Sequence, residues 1–169
     1  MLRVFNVEGV GCSHHFIVQC QALRGLSTIT TGTEMSTQQY TGGCMCGAIR
    51  YELNCESPWS VYCHCESCRK HTGAPVAVLV AGLPEYVTWT SGERALYESS
   101  AGRHRGFCRD CGTSLTWEAE SNGAWLGLHI STFDNPEALP ASEHVFCDDA
   151  ISWVKLTDGL KRYNGSKFI

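Results

Sequence analysis

An all-β fold of antiparallel sheets is what this sequence predicts, on three observations. From Tyr40 onward, short segments of alternating or wholly apolar character recur at regular spacing, which is the pattern of strands joined by turns. Turn formers such as Ser91-Gly92, Ala101-Gly102 and Asn122-Gly123 separate them. Cysteines in tight groups lie between the segments, where they can staple one strand end to another.

Taken in order, residues 48–53 alternate apolar with polar side chains, and residues 76–81 form an apolar run bounded by Pro75 and Pro84. Both suit strands. Further strands are expected at 87–90, 95–99, 104–107, 114–118, 125–129, 144–146 and 152–155. Helix is expected only around 65–71, where a ligand loop would continue into Arg69-Lys70, and at 134–138. Residues 1–34 show no convincing strand or helix period, so they are expected to be a disordered N-terminal extension. An upstream start before Met35 accounts for them, as does a weak targeting segment with Arg3, Arg24 and a Ser/Thr-rich stretch at 27–33. Within it, Cys12, His14, His15 and Cys20 contain no Cys-x-x-Cys pair and are not read as a metal site. Residues 35–169 then form one domain.

Composition narrows the function. The chain has 169 residues, 43% of them hydrophobic, which suffices for one packed core. Its formal charge of −4 comes with no Lys/Arg cluster, so a phosphate backbone finds no counterion-releasing surface and nucleic acid is excluded as a partner. No run of 18 apolar residues and no signal-type apolar segment occurs, so neither a membrane nor secretion is expected. Eleven cysteines is an odd number, and Cys-x-Cys pairs are too close to bridge each other comfortably. A soluble protein of the reducing cytoplasm is expected.

Seven of those cysteines fall into three groups: Cys44-x-Cys46, Cys63-x-Cys65-x-x-Cys68 and Cys108-x-x-Cys111. Pairs two or three residues apart reach one ion with little backbone strain, and zinc favours a tetrahedral sulfur shell. Seven divides into four and three. Four thiolates close a structural shell, whereas three leave a position free for a reacting ligand.

At these residues the chain resembles a known family. Gly43-Cys-Met-Cys-Gly47, Cys63-His-Cys-Glu-Ser-Cys-Arg-Lys70, Arg103-His-Arg-Gly-Phe-Cys-Arg-Asp-Cys-Gly112 and Phe133-Asp-Asn-Pro136 are similar to the glutathione-dependent formaldehyde-activating enzymes, a family that also contains centromere protein V. The likeness covers roughly Tyr40 to Tyr163. It implies an Mss4-like β-tent with two zinc ions per chain. It also implies that Cys44, Cys46, Cys108 and Cys111 make the structural site and that Cys63, Cys65 and Cys68 make the catalytic one.

The residue chemistry agrees with that partition. Cys108-x-x-Cys111-Gly112 reads as a zinc knuckle, completed by a pair from a distant strand. A histidine as fourth ligand, His64 or His71, would instead make the middle site structural, although His64 is expected to point away from its flanking cysteines. Three thiolates on zinc form a weak Lewis acid, but a thiol entering the open position would lose its proton. By the resemblance, glutathione supplies that thiol and formaldehyde the electrophile, giving S-hydroxymethylglutathione by a carbon–sulfur lyase acting in the synthetic direction. The alternative is a non-catalytic Mss4-like zinc module that binds a protein. Arg69 and Lys70 are expected to grip a glutathione carboxylate. Arg103 and Arg105 are expected on the surface, Trp89, Trp117, Trp125 and Trp153 in the core, His129 and His144 as satisfied structural histidines, and Cys55 and Cys147 as buried thiols.

Overall fold

The computed structural model describes residues 38–82, 84–120 and 124–166. The expected extension at 1–34 lies outside them. Within them run β1 (Gln39–Gly43), β2 (Arg50–Asn54), β3 (Trp59–Cys63), α1 (Glu66–Thr72), β4 (Ala77–Gly82), β5 (Val87–Ser91), β6 (Ala95–Ser100), β7 (Arg103–Phe107), β8 (Ser114–Ala119), β9 (Trp125–His129), β10 (Glu143–Val145) and β11 (Lys161–Arg162). The fold is all-β, as expected.

Two sheets form. One is small and antiparallel, in the order β1-β2-β5; the other has eight strands in the order β11-β10-β3-β4-β9-β8-β7-β6. The large sheet departs from the antiparallel expectation at β10, which runs parallel to both β3 and β11. A parallel pair needs a long connection, and β4 to β9 all lie between β3 and β10. Strands β1, β3 and β11 were not expected from the sequence. Residues 152–155 form no strand, and the helix expected at 134–138 is a single 3-10 turn at Pro136–Ala138.

Alternation along the central strands divides the core in two. Val80, Leu126 and Leu128 pack with Tyr51 and Leu53 of the small sheet, along with Ile49, Leu115 and Phe133. On β4 the neighbouring residues Ala77 and Leu79 join Val61, Val145 and Cys68 in a second cluster. Because successive strand residues point to opposite faces, both faces of the large sheet are covered. Each fully buried aliphatic side chain contributes roughly 1.5–3 kcal/mol.

The tryptophans divide accordingly. Trp89 is half-buried and meets Tyr51 edge-on at 5.6 Å, and Trp117 packs against the second cluster. Trp153 is 75% exposed, which corrects its assignment to the core: the residues around it form no strand and have no sheet to cover. No helix among the described residues is long and apolar enough to cross a membrane.

Candidate metal centres

The first centre joins the two sheets. Cys44 and Cys46 lie in the turn from β1 to β2, and Cys108 and Cys111 in the turn from β7 to β8. Their four sulfurs lie within 4.8 Å of one another, with Cys44 to Cys46 at 3.4 Å and Cys46 to Cys108 at 3.8 Å. A tetrahedral shell with ~2.3 Å bonds puts its sulfurs roughly 3.8 Å apart. The donor set therefore fits zinc.

Local sequence builds this geometry twice. After the second cysteine of each pair comes a glycine in the left-handed region, Gly47 at φ +79° and Gly112 at φ +73°. Its amide donates back to the carbonyl of the pair's first cysteine, at 3.0 Å in both turns. The Ile49 amide donates to Cys44 Sγ at 3.3 Å. Thr113 Oγ1 lies 3.1 Å from Cys111 Sγ, and that contact leads the causes that draw the Cys111 thiol down to about 6. These donors favour thiolate, the metal-binding form.

The second centre lies at the junction of β3 and α1. Cys63 ends β3, Cys65 caps α1 and Cys68 occupies its first turn; their sulfurs also lie within 4.8 Å of one another, Cys63 to Cys65 at 3.5 Å. Cys65 Sγ accepts from the Cys68 amide at 3.4 Å. One hydrogen-bonded turn thus aims two sulfurs at one point. Hydrogen bonds from the Cys63 and Cys68 thiols draw the Cys65 thiol far down, while contacts with Cys65 and Cys68 push Cys63 up. Three sulfurs this close ionise together only around a cation.

His64 is clamped away from the sulfurs. Its amide donates to the Val145 carbonyl at 3.1 Å, its carbonyl accepts from Arg69 Nε at 3.0 Å, and its Nε2 lies 2.9 Å from His144 Nδ1. His144, fully buried and stacked on Tyr62 at 4.6 Å, reaches Asp158 Oδ2 at 2.9 Å through its other nitrogen. Neither His64 nor His71 joins the sulfur group. Among the described residues the second cluster has three ligands.

Arg105 is a site residue whose place differs from the expectation. It was expected on the surface and is instead buried, with Nη1 3.2 Å from Cys68 Sγ and Nε 3.3 Å from Ser99 Oγ. The reason is topological: β7 is interior, flanked by β6 and β8, so alternate side chains must enter the protein. Strand pairing is not visible in a local pattern, so no signal in the sequence marks this arginine. Close by, the His71 and His129 rings lie 5.4 Å apart, and the buried Nε2 of each has no partner among the described residues. Burial, the neighbouring imidazole and Arg105 hold His129 down at about 3, so it is neutral; burial and Arg105 lower His71 as well.

Of the remaining candidates, Arg69 also donates to the Asp149 carbonyl at 3.2 Å, and exposed Lys70 pairs with Glu66 at 2.8 Å. Cys147 is a half-buried free thiol, whereas Cys55 is buried and disulfide-bonded, correcting the expectation of a thiol there.

The chain is similar to known proteins. An uncharacterized lyase of Schizosaccharomyces pombe is 34% identical over 105 residues, covering 57% of this chain and 75% of its own. A crystal structure of a Rhodobacter sphaeroides protein, 21% identical, aligns over 73% of this chain and 98% of its own with a TM-score of 0.47. The family described as glutathione-dependent formaldehyde-activating enzyme matches residues 39–149, a span that contains both cysteine clusters and Arg105. The chain belongs to the glutathione-dependent formaldehyde-activating enzyme family.

Proposed function

We propose that this protein is a zinc-dependent carbon–sulfur lyase that joins glutathione, or a thiol like it, to formaldehyde, forming S-hydroxymethylglutathione. The observation that carries this reading is a three-sulfur cluster, which no described side chain completes, in a chain that also has a complete four-sulfur cluster. The family description names both reactants, and the yeast relative is described as a lyase. On this reading each chain holds two zinc ions, a structural one at Cys44, Cys46, Cys108 and Cys111 and a catalytic one at Cys63, Cys65 and Cys68.

Bound zinc supplies Lewis acidity that favours thiolate over thiol and orients the reactants. The chain supplies placement. β3 and α1 fix the three sulfurs, and the bonds to the His64 peptide and ring hold the Cys63–Cys65 turn still. Arg69 and Lys70 are assigned to the carboxylates of the thiol substrate. In the addition, the thiol gives its proton to solvent and its sulfur lone pair forms the new bond to carbon. The carbonyl π pair moves to oxygen, which takes up one proton.

Magnetisation exchange between formaldehyde and its glutathione adduct tests the reading. Zinc-loaded protein should raise the exchange rate about tenfold or more over buffer, and Cys65→Ser should abolish the increase. Protein carrying two zinc ions that leaves the rate at its buffer value would overturn the lyase reading and leave a non-catalytic zinc module.

A further inference from the structure

A buried cation lies against the three-cysteine cluster, in contact with Cys68 of α1. Arg105 is only 6% exposed, and no carboxylate pairs with it among the described residues. Its hydrogen bonds go to the Ser99 hydroxyl and to Cys68 Sγ. Its charge helps to hold His129 neutral and to lower His71. A buried guanidinium without countercharge is strongly disfavoured. The sulfurs are the anions that face it.

We propose that Arg105 is the counter-ion of the three-cysteine centre and makes it selective for an anionic sulfur as fourth ligand. Three thiolates on a divalent metal leave one net negative charge, and a fourth thiolate would add a second in a poorly solvated site. Arg105 cancels the first. With it the centre is neutral before the thiol enters and carries a single charge afterwards, the thiol proton having left to solvent. A neutral fourth ligand changes no charge, so Arg105 discriminates by charge and not by shape. Arginine suits this role because it stays protonated beside any group and can direct separate N–H donors at Ser99 and Cys68. The proposal rests on the lyase reading for its choice of thiol; the role of Arg105 itself rests on contacts that exist without that reading.

The test uses the whole protein reconstituted with Co(II), whose sulfur-to-cobalt charge-transfer absorption reports each added thiolate. Glutathione is the anionic probe and imidazole the neutral one. Arg105→Gln should keep its metal content and weaken glutathione binding by about tenfold or more, while imidazole binding stays within about twofold. Arg105→Lys, which keeps the charge, should recover most of the glutathione affinity. Equal weakening for both probes, unchanged glutathione affinity in Arg105→Gln, or loss of the cobalt in both variants would overturn the proposal. Wild-type protein that binds glutathione in this way without accelerating its addition to formaldehyde would leave the counter-ion role standing and remove the lyase reading. Wild-type protein that gains no charge-transfer absorption with glutathione would overturn both.

Discussion

His129 shows what burial does to a single side chain. Its ordinary value is near 6.5, and in the folded protein burial, His71 and Arg105 hold it at about 3. Between these values the unfolded chain binds a proton that the folded chain refuses, so stability is complete above pH ~6.5 and falls as the pH drops towards ~3. The slope from one such group reaches about 1.4 kcal/mol per pH unit, or about 2 kcal/mol between pH 6.5 and 5. Urea unfolding at those two pH values should therefore give a smaller difference for His129→Gln than for the wild type; identical differences would show that His129 is protonated without strain. The sequence could not have disclosed this. It placed His129 on a strand, but that the ring lies 5.4 Å from His71 depends on how β9 and α1 come together. Arg105 was hidden in the same way, whereas the cysteines were legible because their partners lie two or three residues away along the chain.

Strands β1 and β3 explain where element reading stopped. β3 reads Trp-Ser-Val-Tyr-Cys and is covered on both faces, so it lacks the alternation that marks a half-exposed strand. β1 ends in Gly42-Gly43, which resembles a turn. The glycine is there for closeness: a Cβ on Gly42 would sit 2.4 Å from Tyr51 Oη and 2.5 Å from the Thr132 carbonyl oxygen. Neither can retreat cheaply, since one is backbone and the other is tied to the same residue, Tyr51 Oη lying 2.7 Å from Thr132 Oγ1 in a buried pair. Gly42→Ala should cost about 3 kcal/mol, seen as a fall of roughly 6–12 °C in melting temperature. Gly82→Ala, whose Cβ would meet nothing within 4 Å, should leave the melting temperature almost unchanged. Equal effects at the two glycines would contradict close packing of β1 against the turn at Ile130–Thr132.

At the scale of the molecule, the two cysteine clusters belong to different halves of the core. Cys44 and Cys108 pack with the cluster between the sheets, and Cys63 and Cys68 with the cluster on the other face of the large sheet. A structural zinc contributes on the order of 10–16 kcal/mol in small peptides, more than the ~5–15 kcal/mol net stability of a typical domain. Cys111→Ser should accordingly lose folded protein, with circular dichroism melting reduced or absent. Cys65→Ser should melt within a few degrees of the wild type and lose one zinc by elemental analysis. Comparable collapse in both variants would make the second centre structural too. The division between faces has a consequence for a cell short of zinc. On the proposed two-zinc reading, an ion at the β3–α1 junction could leave and return while the sheet remains as a dividing wall, so starvation would silence the protein before it destroyed it. Chains already made would form a reserve that resumes work when metal returns, without new synthesis and without refolding.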